Sequence, residues 1–246
     1  VFVRNNLVVA FATVGGVMWF SYFIADKLTR GRIHGSAIAI ALGLIAAYLG
    51  GIMTGGDKGV ADFSLLGGIG LMGGGMLRDF AIVSTAFGVQ LSELKKAGVA
   101  GVISIFAGVI VSFVVGAAVA VGFGYDDPVA ITTIGAGAVT YIVGPVTGEA
   151  IGASGEVITL SVAAGLIKSI LVMIGTPLVA RSIGLDNPQS AMVFGGLMGT
   201  TSGVAAGLAA TDPKLVPYGA MTATFYTGIG CLLGPSLLFL LVGSIF

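Results

Sequence analysis

The chain has 246 residues, of which 56% are hydrophobic and only 9% are charged, and its formal net charge at pH 7 is zero. A soluble domain carries roughly 25% charged residues, so this composition excludes an ordinary soluble protein. The zero net charge provides no basic surface for nucleic acid. The single cysteine, Cys231, excludes an internal disulfide and a metal site built from cysteines.

Long charge-free stretches divide the chain into membrane spans. A helix needs ~20 apolar residues to cross the hydrocarbon core of a bilayer, and the sequence offers about eight such stretches. We therefore predict an all-α polytopic membrane protein that forms one integral membrane transporter domain over residues 1–246. The predicted spans are residues 6–25, 35–54, 62–77, 97–123, 128–150, 156–180, 188–210 and 214–244.

Three of the predicted helix starts share a local signature. Asp127-Pro128, Asn187-Pro188 and Asp212-Pro213 each place a capping side chain directly before a proline. A side-chain oxygen at this position accepts a hydrogen bond from the first turn, and proline suits the first helical position because the N–H it lacks has no partner there. We expect helices to begin at all three sites.

The basic residues predict the orientation. Lys27 marks the first loop as cytoplasmic and Lys95 marks the third, which places the N-terminus outside. Counting complete crossings then puts Arg181 outside, against the rule that basic residues stay inside. Either the rule fails at this position, or the stretch 128–150 is re-entrant and reverses the orientation of the later spans.

Two further segments each fit more than one description. Residues 78–96 carry charges at both ends around an apolar middle, which fits an interfacial helix or a longer third span with a cytoplasmic tail. Residues 65–77 resemble residues 193–205 in their glycine pattern, which is consistent with an internal repeat.

Two predicted spans are interrupted by glycine and hydroxyl residues, over 132–150 and 194–213. An interruption exposes backbone polar groups at membrane depth, which is tolerated only where protein or a water-filled cavity covers them. Paired interruptions in two parts of a chain are typical of the binding sites of secondary transporters. We predict broken or re-entrant helices at both places; helix packing alone is the alternative.

The first interruption is a candidate anion site. Gly144-Pro145 favours a break, and a half-helix that starts at Pro145 would point its positive N-terminal end into the membrane interior. Neighbouring hydroxyls supply further donors. The candidate substrate-binding residues are Thr140, Tyr141, Gly144, Pro145, Thr147 and Lys168.

Lys168 belongs to this set because it lies in the middle of an apolar span. An ammonium group there is costly and marks a functional site by default. It is either a counter-charge for an anionic substrate, or a partner of Glu149, or a side chain that reaches out to the membrane interface.

The second interruption is a candidate cation site. Its three consecutive hydroxyls lie between Gly199 and Gly203, and hydroxyl and carbonyl oxygens are ligands that hard cations prefer. The alternative is that these hydroxyls bond back to their own helix. The candidate ligands of Na⁺ are Thr200, Thr201, Ser202 and Glu149.

Several long segments together resemble the larger, M subunit of the bacterial two-component malonate/sodium symporters. They include TTIGAGAVTYIVGPVTG, KSILVMIGTPLVARSIGLDNP and VFGGLMGTTSGVAAGLAATDPKLVPYGAMTATFYTGIGCLLGPS. The resemblance covers nearly the whole chain. It implies a multi-pass protein of the bacterial inner membrane, uptake of malonate driven by Na⁺, and a small membrane partner, the L subunit.

The leading hypothesis is therefore a subunit of a secondary active transporter that works by alternating access, with Na⁺ as coupling ion and no organic cofactor. No catalytic constellation and no nucleotide-binding motif occurs in the sequence, so we expect no enzyme activity. The alternatives are a passive dicarboxylate channel, the membrane subunit of a sodium-coupled decarboxylase pump, and a scaffold that only supports its partner.

Overall fold

The computed structural model describes residues 6–29, 35–56, 59–71 and 98–246, and all regular structure in these residues is helical. They fall into two compact units, one within Val1–Gly88 and the other within Val89–Phe246. The expected all-α membrane architecture is confirmed. The expectation that residues 1–246 work as one transporter domain stays a prediction.

The first unit consists of apolar helices joined by short connections. Its elements are α1 (Asn6–Thr29), α2 (Gly35–Thr54), a 3₁₀ turn (Gly59–Asp62) and α3 (Gly67–Leu71). Gly50 lets the turn approach α2, because a Cβ there would lie 2.6 Å from the nitrogen of Val60. The end of the predicted span 62–77 and the predicted interfacial helix 78–96 lie outside the described residues.

The second unit alternates long helices with pairs of short ones. Its elements are α4 (Gly98–Gly122), α5 (Pro128–Val139), α6 (Val143–Ile151), α7 (Gly155–Val179), α8 (Pro188–Met198), α9 (Thr201–Ala209), a 3₁₀ turn (Pro213–Leu215), α10 (Val216–Leu233), a π-helical segment (Gly234–Leu238) and α11 (Phe239–Gly243). Among the described residues, four helical stretches are long and apolar enough to cross a membrane: Asn6–Thr29, Gly98–Gly122, Gly155–Val179 and Pro213–Gly243.

Caps confirm the predicted helix starts at Pro128 and Pro188, whereas the cap at Asp212 begins a 3₁₀ turn that leads into α10 at Val216. The carboxylate of Asp127 accepts a hydrogen bond from the Ala130 N–H at 2.8 Å, and Asn187 accepts one from the Ser190 N–H at 3.0 Å. Asp212 accepts one from the Lys214 N–H, also at 3.0 Å. These caps satisfy N–H groups that have no partner within the helix.

The helices α5 and α6 form a re-entrant hairpin. A Cβ at Gly144 would lie 2.9 Å from the Cα of Gly137, and a Cβ at Gly148 would lie 2.8 Å from Thr133. Later residues of α6 lie against earlier residues of α5, so the two helices run antiparallel. The stretch 128–150 therefore returns to the side from which it entered.

The helices α8 and α9 form a second, wider hairpin. Leu208 near the end of α9 and Ala191 near the start of α8 both lie against Gly219 in the first turns of α10. The chain thus comes back to its entry level after the turn at Gly199. Two of the eight predicted spans, 128–150 and 188–210, are re-entrant hairpins and not complete crossings.

The two hairpins enter from opposite ends of the unit. The first hairpin ends at Ile151 and α7 begins at Gly155; α7 then runs for 25 residues before the second hairpin begins at Pro188. Such a helix is about 37 Å long, enough to cross a bilayer. α4 is followed by the first hairpin, and α7 is followed by the second. These two helix–hairpin pairs are therefore inverted relative to each other, an arrangement known from transporters with inverted repeats.

Candidate functional site

The tips of the two hairpins meet inside the second unit. The hydroxyl of Tyr141, from the first tip, lies 3.4 Å from Oγ of Ser202, from the second. The hydroxyls of Thr200 and Ser169 form a short hydrogen bond, which joins the second tip to α7. A Cβ at Gly165 of α7 would collide with the backbone of Tyr141. The same helix therefore packs against both tips.

Thr140 makes the turn of the first hairpin. It is buried, and its Oγ1 accepts hydrogen bonds from the N–H groups of Ile142 (3.2 Å) and Val143 (3.1 Å). The backbone at Thr140 is extended, so α5 ends there and α6 restarts after a short turn.

The prediction that the half-helix starts at Pro145 needs correction. α6 begins at Val143, and Pro145 lies in its first turn. An N–H at this position has no partner within the helix, so proline is compatible with the turn without causing it. The break is made by the extended backbone at Thr140 and by the capping hydroxyl.

Thr200 makes the equivalent turn in the second hairpin. Gly199 ends α8 with a φ of 70°, a left-handed conformation that glycine adopts without strain, and a side chain there would collide with the ring of Tyr226. Thr200 then accepts a hydrogen bond from the N–H of Gly203 and caps α9. Thr201 and Ser202 follow in the first turn and are half-buried.

The tips place two positive helix ends close together. α6 and α9 both start here, and the N-terminal end of a helix carries about +0.5 of an elementary charge from its aligned peptide dipoles. The hydroxyls of Tyr141, just before α6, and of Ser202, in the first turn of α9, lie 3.4 Å apart. Aligned N–H groups and hydroxyl donors form an arrangement that stabilises an anion.

Lys168 lies on the other side of the first tip, where α5 ends. Its Nζ donates hydrogen bonds to Oγ of Ser112 (2.9 Å), the carbonyl oxygen of Val139 (2.9 Å) and the hydroxyl of Tyr226 (3.0 Å). The ammonium group therefore points into the helix bundle. The alternatives that it reaches the membrane interface or pairs with Glu149 do not match these contacts.

Three polar residues of this region were missed by the sequence analysis: Ser112, Ser169 and Tyr226. The buried hydroxyl of Tyr226 donates to the carbonyl of Gly108 at 3.2 Å while it accepts from Lys168. A tyrosine and serines within apolar spans are a weak signal, because membrane helices commonly use serine for packing. Only the tertiary contacts distinguish them.

The remaining candidates lie farther from the tips. Gly144 lies against Ser161 of α7, which makes it a packing position in this structure. Thr147 is fully buried beside Gly234, and its hydroxyl has no hydrogen-bond partner among the described residues. Glu149 is exposed in the last turn of α6, and the structure does not bring it to the second tip.

An apolar cavity of about 690 Å³ lies beside this region, between α4, α5, α7 and α8. Its lining is aliphatic and aromatic except for Lys168 and Thr176. A small dianion would lose its hydration there without gaining enough polar partners, so the cavity does not suit a charged substrate. The polar groups at the hairpin tips are the better candidate.

Two re-entrant hairpins of opposite entry, meeting tip to tip among apolar helices, define a polytopic membrane protein with its polar site in the interior of the bundle. The sequence matches the family model of the malonate/sodium symporter MadM subunit over residues 1–246. The chain therefore belongs to this family, whose members are transporter subunits. No curated protein and no solved structure matches the chain.

Proposed function

We propose that the chain is the subunit that carries the substrate pathway of a secondary active transporter, which imports malonate together with Na⁺ by alternating access. One observation carries this proposal: the tips of two hairpins that enter from opposite ends meet at Tyr141 and Ser202. Opening one hairpin would connect the tips to one side of the membrane, and opening the other would connect them to the opposite side.

Malonate is a small dianion at neutral pH, and its import against a negative-inside potential costs ~2.3 kcal/mol per charge per 100 mV. We assign its carboxylates to the starts of α6 and α9. The donors are the backbone N–H groups at the start of α9 and the hydroxyls of Thr140, Tyr141 and Ser202. The first N–H groups of α6 donate to Thr140, so this end of α6 contributes only its helix dipole. Gly144, Pro145 and Thr147 shape the first half-helix, and they remain proposed members of the substrate site.

The coupling Na⁺ offsets part of the substrate charge. Thr200, Thr201 and Ser202 offer hydroxyl oxygens beside the carbonyls freed by the turn at Gly199, which are ligands that a hard cation prefers. Glu149 remains a proposed cation ligand, although in this structure it is exposed at the end of α6 that is farther from the tip.

The members of this family are subunits of a symporter, which implies that transport involves more than one subunit. We propose a small membrane partner, the L subunit, and a location in the bacterial inner membrane. Both follow from the resemblance noted in the sequence.

Tyr141→Phe and Ser202→Ala test the assignment of the tips. Each variant removes one hydroxyl donor and leaves the fold intact, so we expect the KM for malonate to rise about tenfold, the effect of losing one hydrogen bond to a charged group. The measurement is uptake of labelled malonate into proteoliposomes that contain the complete two-subunit complex, with and without an inward Na⁺ gradient.

The matched controls are Tyr218→Phe and Ser244→Ala, whose side chains are exposed. They should transport like the unmodified protein. Unaltered uptake kinetics in both tip variants would contradict the assignment of the tips to the substrate pathway. Uptake that only equilibrates malonate would favour the passive channel, and a strict requirement for a soluble decarboxylase would favour the pump.

A further inference from the structure

The ammonium group of Lys168 lies at the end of α5, beside the first hairpin tip, and donates three hydrogen bonds there. The acceptors come from three different helices: Ser112 from α4, Val139 from α5 and Tyr226 from α10. None of these three acceptors is a carboxylate. The lysine thus ties three helices to α7 through neutral oxygens.

Val139 is the acceptor that connects Lys168 to the turn of the first hairpin. It is the last residue of α5, so its carbonyl belongs to the last turn, where a helix has no N–H partners and carries partial negative charge. The N–H of Val143, which would complete a continuous helix, donates instead to Thr140. The turn of the hairpin frees the Val139 carbonyl, and Lys168 binds it.

Tyr226 extends the contact to the second tip. Its ring lies against Gly199, which ends α8, while its hydroxyl accepts from Lys168 and donates to Gly108. The negative C-terminal ends of α5 and α8 thus both lie next to the Lys168–Tyr226 pair. The start of α9 and the hydroxyls of the two tips remain available to an anion.

We infer that Lys168 is a positioning residue that latches the first hairpin tip to α4, α7 and α10, and not a ligand of malonate. This inference rests on the proposed function only in that the latched tip is taken as part of the substrate pathway. The ammonium group stabilises the closed tip by occupying the freed carbonyl. Opening the first hairpin requires the Lys168–Val139 hydrogen bond to break.

A cysteine at the tip measures the latch directly. Ile142 is half-buried at the first tip, and Ile142→Cys is introduced together with Cys231→Ser, which removes the only native thiol. The rate of its alkylation by N-ethylmaleimide is measured in membranes with the complete complex. We expect Lys168→Met to raise this rate about tenfold, because the tip loses a hydrogen bond to a charged group.

Transport kinetics separate a latch from a ligand. With Lys168→Met we expect the maximal rate of malonate uptake to fall while the KM for malonate stays within about twofold, since the variant disturbs the tip and not the anion contacts. Lys214→Met, at an exposed lysine in the 3₁₀ turn before α10, is the matched control and should leave both readouts unaltered.

An unchanged alkylation rate in Lys168→Met would overturn the latch, and a raised KM together with it would assign Lys168 to malonate itself. If Lys168→Met does not fold, Ser112→Ala and Tyr226→Phe each remove one acceptor and keep the charge. Both should then raise the alkylation rate, and an unchanged rate in both overturns the inference. Alkylation needs no malonate, so absence of transport in the unmodified complex would contradict the proposed function alone.

Discussion

At the scale of single residues, hydroxyl side chains determine where the helices break. Thr140 and Thr200 both accept hydrogen bonds from the first turn of the half-helix that follows them. The sequence indicated that hydroxyls cluster at the breaks, but its pattern pointed to Pro145 as the cause of the first one. A proline is conspicuous in a sequence, whereas a threonine becomes a cap only through its backbone conformation.

Thr140→Ala should lower the stability of the complex. Two N–H groups lose their acceptor in a buried turn, and loss of a capping hydroxyl costs ~1–2 kcal/mol. Thr140→Ser retains the hydroxyl and should unfold close to the temperature of the unmodified protein. The measurement is thermal unfolding of the solubilised complex; equal transitions for the alanine and serine variants would contradict the capping role.

At the scale of elements, α7 holds the two hairpins in place. It carries Ser161 and Gly165 against the first hairpin and Ser169 against the second, so its face combines small residues with hydroxyls. Close approach of backbones at small residues is the usual basis of helix packing in membranes. The sequence showed many glycines but could not distinguish those at a contact from those facing outward.

Gly165→Ala should disrupt this packing. The added methyl group collides with the backbone of Tyr141, which cannot move as a side chain would, and such overpacking costs ~1–3 kcal/mol. Gly175→Ala on the same helix is the control, because nothing lies within 4 Å of a Cβ there. We expect less folded complex and slower malonate uptake for Gly165→Ala only; equal behaviour of the two variants would contradict the contact.

Pro145 also concerns the elements, because it lies in the first turn of α6. In the sequence, Gly144-Pro145 favours a break at this position. In the structure the turn is fixed by Thr140, so Pro145→Ala leaves the break in place and its effect on uptake should be smaller than that of Gly165→Ala.

At the scale of the whole second unit, the hairpins determine the orientation of the loops. Because the stretch 128–150 turns back, Arg181 comes to lie at the end of the unit that also carries Lys214, and Glu149 lies at the other end with Asp127. This distribution agrees with the rule that basic residues stay in the cytoplasm, which a count of complete crossings violated.

Two engineered cysteines test this topology in cells, in the Cys231→Ser background. Ser154→Cys lies in the exposed connection before α7, and Ser182→Cys lies in the exposed connection after it. A membrane-impermeant maleimide added outside should label Ser154→Cys and leave Ser182→Cys unlabelled until the membrane is broken. Eight complete crossings predict the reverse pattern.

The sequence by itself determined the membrane class, the helix starts at capped prolines, the two places where helices break and the family. These properties depend on local composition and short-range spacing: burial of apolar length in lipid, capping of adjacent N–H groups, and glycine with hydroxyls in an apolar run. They can be recognised without knowing which helices are neighbours.

Only the tertiary structure decided that the breaks are turning points of hairpins, that their tips meet, and that Lys168 binds the end of α5. The contacts of Tyr141 with Ser202 and of Lys168 with Ser112 join residues 61 and 56 positions apart in the chain. Such distant pairs depend on the direction in which each half-helix runs after its break. That direction is fixed by packing against α7 and α10, which no local pattern records.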